Sequence, residues 1–511
     1  MKKIASLFIV FILLFTAIAV SACTDSTPSP KPPDWIFDAP GVVVSSNKNE
    51  IYYENKTSKT NIEIAFTEAG LGRKFMLELA RKFVYENQGY MITLIGDPIL
   101  TESVEAKLGG TIGLSDIYLP LDCNWEQWAA LGLLEQLDDV YAAKVDGESK
   151  GTVYEKTKPM FQEFGNVKGH YYAIPWNEWG TGFFYNEDMF KQYELEVPTT
   201  VEELWDVCKA IIEKSNGTVM PFTFPGNVGG YFDFFVSTWW AQDSGLDGYA
   251  EFFEYGSVDV YKHTVQPSLG KKHALEAFEL FFGNDATYTV NGRPLTSQIS
   301  YGGKKYNFYN PEDMSKNHIQ TQLAFCQGKA AMIPNGSWLE QETKNNNAQF
   351  QMKLMPTPFL ETAKKDGENK PIPVAYTAGG DFFCVPSGIS PARKENAKKF
   401  LEFTLKEENL QLYTQACGAP RPFVYDLTSI LSKLSVFDRS VLEVINNSAT
   451  FYDYTNALVS TLGGARKWPN GQPYSKLVFG ENGDDANKMC QADWIKAQND
   501  WDSWMATAGL S

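Results

Sequence analysis

Short stretches of this chain gather the side chains that suit a ring-shaped, hydroxyl-rich ligand. Trp176, Asn177, Glu178 and Trp179 sit between Pro175 and Gly180, and Asp122, Asn124 and Trp125 follow the apolar triplet Ile117-Tyr118-Leu119. Trp239 and Trp240 are adjacent in an aromatic run, Asn335 and Trp338 follow Met332-Ile333, and Asp381 follows Gly379-Gly380. Glu68 lies just beyond an alternating apolar segment. A pyranose presents C–H faces above and below and hydroxyls around its rim, so planar indoles and a ring of carboxylates or amides would match it. Each residue also has a plainer use. Trp125 and Trp128 suit the buried side of a helix, one of Trp239 and Trp240 suits a core, and Asp381 suits holding local backbone. The two glycines before Asp381 imply a turn or a close backbone approach.

Other chemistries lack their residues. No CxxC pair or Cys/His cluster occurs, and the 4 histidines (His170, His263, His273, His318) have no metal-ligand spacing, so no metal site is expected. Neither a GxSxG elbow nor a GxxxxGK[ST] loop is present, which argues against a serine hydrolase, an ATP site or any bound cofactor. A glycoside hydrolase would need opposed carboxylates roughly 5–9 Å apart; Glu178 and Asp122 are conceivable, but spacing along the chain gives no separation. No Arg cluster occupies the candidate loops to pair with phosphate or uronate, though Arg421 and Arg466 come from segments of uncertain placement. A neutral ligand is therefore favoured.

The chain has 511 residues, 43% of them hydrophobic and 21% charged, enough for two or three domains. Its formal charge of −17 disfavours general binding to nucleic acid or anionic lipid. Aromatic residues reach 14%, so some rings remain for a ligand after a core is filled.

The elements that must position these side chains alternate. Residues 61–66 read as a strand, and RKFMLELARKFVYEN as a helix with Phe75, Leu79 and Phe83 on one face. Residues 90–95 read as a strand, 103–108 as a short helix and 115–119 as a strand, the rhythm of a largely parallel α/β sheet. A second unit opens near Tyr171, with a helix after Pro198 capped by Thr199 or Thr200 and acidic in its first turn. Residues 283–317 carry little periodicity and read as a loop-rich excursion. Helix 319–325, strand 330–333, a turn at Pro334-Asn335-Gly336, strand 382–385, helix 392–405 and a mainly helical tail complete the pattern.

At the start, Lys2 and Lys3 precede an apolar or small-residue run from Ile4 to Val20, the pattern of an export signal. Val20-Ser21-Ala22-Cys23 resembles the lipobox of bacterial lipoprotein precursors, which implies cleavage before Cys23, diacylation of its thiol and a membrane anchor. The Pro-rich stretch 24–33 reads as a tether. The other six cysteines are an even set that permits disulfides, but their spacings are long and irregular.

Three segments resemble the extracellular solute-binding proteins of bacterial ABC importers, particularly those for sugars and oligosaccharides. In residues 169–211, Tyr172, Pro175, Tyr185, Asn186, Pro198 and Thr199 match the family pattern; FCQGKAAMIPNGSW (325–338) and AGGDFFCVPSGISPARKENAKKFLEFTL (378–405) are similar to two further family segments. The resemblance implies a periplasmic-binding-protein type II α/β fold, two lobes with a hinge and a ligand cleft between them. It divides the chain into a signal peptide (1–22), an anchored tether and extension (23–58), lobe 1 (59–174 plus approximately 375–425) and lobe 2 (175–374 plus approximately 426–511). It implies capture of a carbohydrate without turnover and delivery to an ABC permease with its ATPase, at the outer face of the cell membrane. A surface carbohydrate adhesin or sensory receptor would share the same ligand residues, and a peptide, polyol or metal complex is the alternative cargo.

Overall fold

Alternating apolar side chains in residues 60–66 bury Ile62, Ile64 and Phe66 and place that segment at the heart of a first sheet. The computed structural model describes residues 35–68, 72–110, 113–121, 123, 125–253, 258–259, 270–378, 381–452, 467–480 and 485–508. The chain divides into two units, Met1–Trp35 and Ile36–Ser511, and both sheets of the fold belong to the second. The expected signal peptide, the lipidation site Cys23 and the Pro-rich tether lie outside the described residues, as do Asp122, Asn124 and Gly379-Gly380.

The first sheet comprises β1 (Val43–Asn47), β2 (Glu50–Glu54), β3 (Thr60–Phe66), β4 (Tyr90–Gly96) and β5 (Ile117–Leu119), in the order β1-β2-β4-β3-β5. Strands β3, β4 and β5 are parallel, with helix α1 (Lys74–Glu86) crossing between the first two. The β1–β2 hairpin adds an antiparallel edge through β2 and β4. Residues 43–54, expected in an extension, are thus part of the sheet, because Tyr53 is fully buried there.

The second sheet is built from β7 (Trp179–Asn186), which follows the short β6 (Ile174–Pro175), and from β8 (Met220–Phe222), β9 (Ala330–Gly336), β10 (Met352–Leu354), β11 (Val374–Ala378) and a last strand at Ala449–Phe451. The order is β8-β9-β7-β11 and then the last strand, with β10 also beside β7. Only β7 runs against its neighbours. All eight β7 residues are buried, so it is covered on both faces: Phe183 joins Phe235 and Trp239, whereas Phe184 joins Phe437, Val441 and Ile445. Gly180 lets the helix Val436–Asn446 approach, since a Cβ there would lie 2.6 Å from Val441 Cγ1. The helix Val201–Lys214 starts as expected, with the Thr200 side chain accepting the Glu203 N–H.

Three connections join the sheets, the third running from the helix Glu407–Cys417 to the helix Val436–Asn446 beside the second sheet. After Pro175 the chain passes from β6 into β7; beyond Ala378 it returns to β12 (Phe382–Phe383), which pairs with β6, while Cys384 bridges Tyr118 of β5. The helices Pro391–Thr404 and Glu407–Cys417 then complete the first side, with Phe83 of α1 against Phe400 and Phe403 and Arg393 holding Asp116 at 2.5 Å.

Residues 283–317 differ from the loop-rich expectation. They form two hairpins, Thr287–Val290 with Arg293–Thr296 and Gln298–Tyr301 with Lys304–Asn307. Asn291-Gly292 and Gly302-Gly303 have positive φ at both turn positions, the requirement of a type I′ hairpin. Strand β9 likewise continues through Pro334-Asn335-Gly336, where a turn was expected. Among the described cysteines, Cys208, Cys326, Cys384 and Cys417 are free thiols.

Candidate functional site

The parallel strands of each sheet end at loops that carry candidate residues, the usual place for ligands in open α/β sheets. On the first sheet, Thr67 and Glu68 follow β3. Glu68 is partly exposed, pairs with Arg73 at 3.3 Å and leans on Gly96 at the end of β4, where a Cβ would meet its Oε2 at 2.6 Å. The Thr67 Oγ1 is buried with no hydrogen-bond partner. On the second sheet, β9 ends in Asn335-Gly336, followed by Ser337 and Trp338. The half-buried Trp338 ring folds over Gly336, where a Cβ would be only 2.1 Å away. It meets Trp179 edge-on at 5.0 Å, Phe234 at 5.5 Å and Tyr231 at 6.3 Å. Asn335 Nδ2 and Ser337 Oγ are buried beside it without partners. A buried donor or hydroxyl left unpaired costs roughly 1–3 kcal/mol, which a ligand oxygen would recover. The two rims approach each other: a Cβ on Gly72 would lie 3.0 Å from Gln341 Nε2, three residues beyond Trp338.

Residues 176–178 behave differently. Trp176 is 1% exposed and packed among Phe75, Phe383 and Tyr413, with the Arg421 guanidinium 4.1 Å from its ring centre. Burial pulls the pKa of the Arg421 guanidinium down to about 9. This corrects the expectation of Trp176 as a ligand platform, because the ring is enclosed by protein and leaves no surface for a ligand. Asn177 donates to Asp381 Oδ2 at 2.5 Å and accepts from the Tyr413 hydroxyl. Trp179 Nε1 donates to the same Asp381 oxygen at 2.8 Å. Glu178 is fully buried; its carboxylate accepts from Lys158 Nζ at 2.5 Å and Thr450 Oγ1 at 2.6 Å. Asn177, Glu178 and Asp381 therefore hold the first two connections together, and these polar contacts are made to protein rather than to a cleft.

The other tryptophans are also corrected. Trp125 is 5% exposed and packs on Phe164 and Phe382. Trp239 donates to the Pro358 carbonyl inside the second core, and Trp240 lies edge-on to Tyr249 and Phe252. The helix Gly230–Phe253 is apolar on several sides, so both adjacent indoles find an interior. Of the expected contacts, Glu68 and Trp338 keep partial exposure, while Trp179 and Asn335 are buried beside Trp338.

Tyr231, Phe234, Tyr376, Thr67 and Ser337 were not anticipated. Tyr231 and Phe234 are three apart at the start of their helix and so share a face, a spacing readable in the sequence. Burial pushes the pKa of the Tyr231 phenol up to about 12, so it stays a neutral donor. Tyr376 stacks on Phe234 from β11 at 6.5 Å. Among the described residues, no three of His, Cys, Asp and Glu gather to hold a metal ion, and no helix is long and apolar enough to cross a membrane.

The profile of the bacterial extracellular solute-binding protein family matches residues 78–429. Among curated proteins, the chain is 21% identical over 255 residues to the melibiose/raffinose/stachyose-binding protein MelE of Bacillus subtilis, a match covering 50% of this chain and 51% of that one. It is 21% identical over 373 residues to the multiple sugar-binding protein of Streptococcus mutans, covering 72% and 76%. It thus spans about half the length of MelE and 41% of a maltotriose-binding protein of Pyrococcus abyssi. Among solved structures, RafE in complex with raffinose aligns with a TM-score of 0.59 at 16% identity, over 86% of this chain and 99% of that one. The cyclic alpha-maltosyl-1,6-maltose binding protein of Arthrobacter globiformis gives 0.60 at 14% identity, over 86% and 99%. These structures share its mixed α/β fold.

Proposed function

Since the chain belongs to the bacterial extracellular solute-binding proteins, which bind and do not catalyse, we propose that it captures a neutral sugar or oligosaccharide between its two sheets and delivers it to an ABC permease with its ATPase. In this reading each sheet with its helices is one lobe of a type II fold, and the three connections, at 176–178, beyond Ala378 and between Cys417 and Val436, are the hinge. Residues 1–22 are removed on export, and a diacylglyceryl group on Cys23 holds the protein at the outer face of the cell membrane.

The observation that carries the proposal is the rim at Trp338: a half-buried indole framed by Trp179, Tyr231 and Phe234, beside unpartnered Asn335 Nδ2 and Ser337 Oγ. Rings for C–H faces and hydrogen-bonding groups for hydroxyls occur there together, opposite Thr67 and Glu68. Names of relatives support the same ligand class: MelE for melibiose, raffinose and stachyose, and RafE solved with raffinose.

Titration calorimetry on residues 24–511 tests this, with raffinose, maltotriose, their monosaccharides and a tripeptide as probes. A micromolar oligosaccharide, about −8 kcal/mol, is the expected result. Binding of the tripeptide and of no sugar refutes the ligand class. Cys23→Ala in the full chain should move the protein out of the membrane fraction, and unchanged fractionation refutes the anchor.

A further inference from the structure

Glu178 was expected to touch ligand, yet each of its polar groups goes to a different piece of the protein. Its backbone N–H donates to the Pro420 carbonyl at 3.0 Å, in the chain that leaves the helix Glu407–Cys417 on the first side. One carboxylate oxygen takes Lys158 Nζ at 2.5 Å; Lys158 is fixed in turn by its N–H to Pro422. The other oxygen takes the Thr450 hydroxyl at 2.6 Å, and Thr450 lies in the last strand of the second sheet, paired with Ala375. Beside it, Asp381 on the return connection holds Asn177 and Trp179, and its carbonyl accepts the Trp176 N–H at 2.9 Å.

A rotation of one sheet against the other that carries Thr450 away from Lys158 lengthens one of the two bonds that Glu178 makes to them. Both are short, and the carboxylate between them is fully buried, so water cannot replace either partner without opening the junction. In the conformation held by these bonds the two rims lie close, since a Cβ on Gly72 would be 3.0 Å from Gln341 Nε2. We infer that Glu178, with Lys158 and Thr450, is a positioning latch that favours the rim-to-rim arrangement and so sets ligand affinity without touching ligand. The inference rests on the two-lobed reading above. A ligand that needs this arrangement binds in proportion to its population, so weakening the latch lowers apparent affinity.

The test compares Glu178→Gln, Thr450→Val, Thr450→Ser and Trp338→Ala in residues 24–511, each checked for folding by circular dichroism. Small-angle scattering of the ligand-free proteins reads the sheet-to-sheet arrangement, and calorimetry with raffinose reads affinity. Glu178→Gln and Thr450→Val should enlarge the ligand-free radius of gyration and weaken raffinose binding by at least about fivefold. Saturating raffinose should restore the parent radius, and Thr450→Ser, which keeps the hydroxyl, should behave as the parent. Trp338→Ala should weaken binding with the ligand-free radius unchanged. Folded Glu178→Gln and Thr450→Val with the parent radius overturn the latch, whatever raffinose does. If raffinose and maltotriose fail to bind the parent protein, the sugar reading fails while scattering still decides the latch; should Glu178→Gln not fold, Thr450→Val carries the same decision.

Discussion

Trp176 and Trp338 each follow a strand, each beside an asparagine a few positions away, and they meet opposite fates. Trp176 is closed in by Phe75, Phe383, Tyr413 and Arg421, all brought from far along the chain. Trp338 stays half-buried: Trp179, Tyr231 and Phe234 meet it edge-on, and Gly336 supplies no side chain to hold the ring away. A strand end decides where a ring starts. What arrives from elsewhere decides whether it is a floor for ligand or a brick in the junction.

The sharpest way to break this contrast is Trp176→Ala. Emptying a closed aromatic site should cost about 3–5 kcal/mol of stability in urea unfolding, and a loss below about 1 kcal/mol would show that the ring is not packed as described. Trp338→Ala should reverse the balance: the sugar affinity measured by calorimetry falls by about 1–2 kcal/mol, with a smaller change in unfolding than for Trp176. Equal effects of the two on stability, with binding unmoved, would erase the distinction. Glu68→Gln sharpens it from the opposite rim. Its ion pair with Arg73 is partly exposed, so stability should stay within about 0.5 kcal/mol while affinity weakens by about 0.5–1 kcal/mol, read in the same titrations.

Local pattern accounts for most of what could be read from the chain. The alternation in 60–66, the apolar face of 74–86 and the capped start at Thr200 each depend on neighbours within a few positions, and the structure has these elements. The hairpins at 287–307 were also locally written, in Asn291-Gly292 and Gly302-Gly303, but their strands are only four residues long and gave too little alternation to stand out. The site was legible only to the level of strand ends. Trp176, Trp239 and Trp240 have the composition of ligand residues, and nothing within ten positions reveals Arg421 against the first or Pro358 against the second. Conversely, Ser337 and Thr67 look ordinary until their hydroxyls are found buried and unpaired.

The first sheet also bears on how the protein is made. Its Asp116 waits for Arg393, 277 positions further along, and Phe83 waits for Phe400 and Phe403. A ribosome therefore releases the opening strands long before their covering helices exist. Closure of this sheet is thus left until the chain is nearly whole, and pairing between segments so far apart is slow to form.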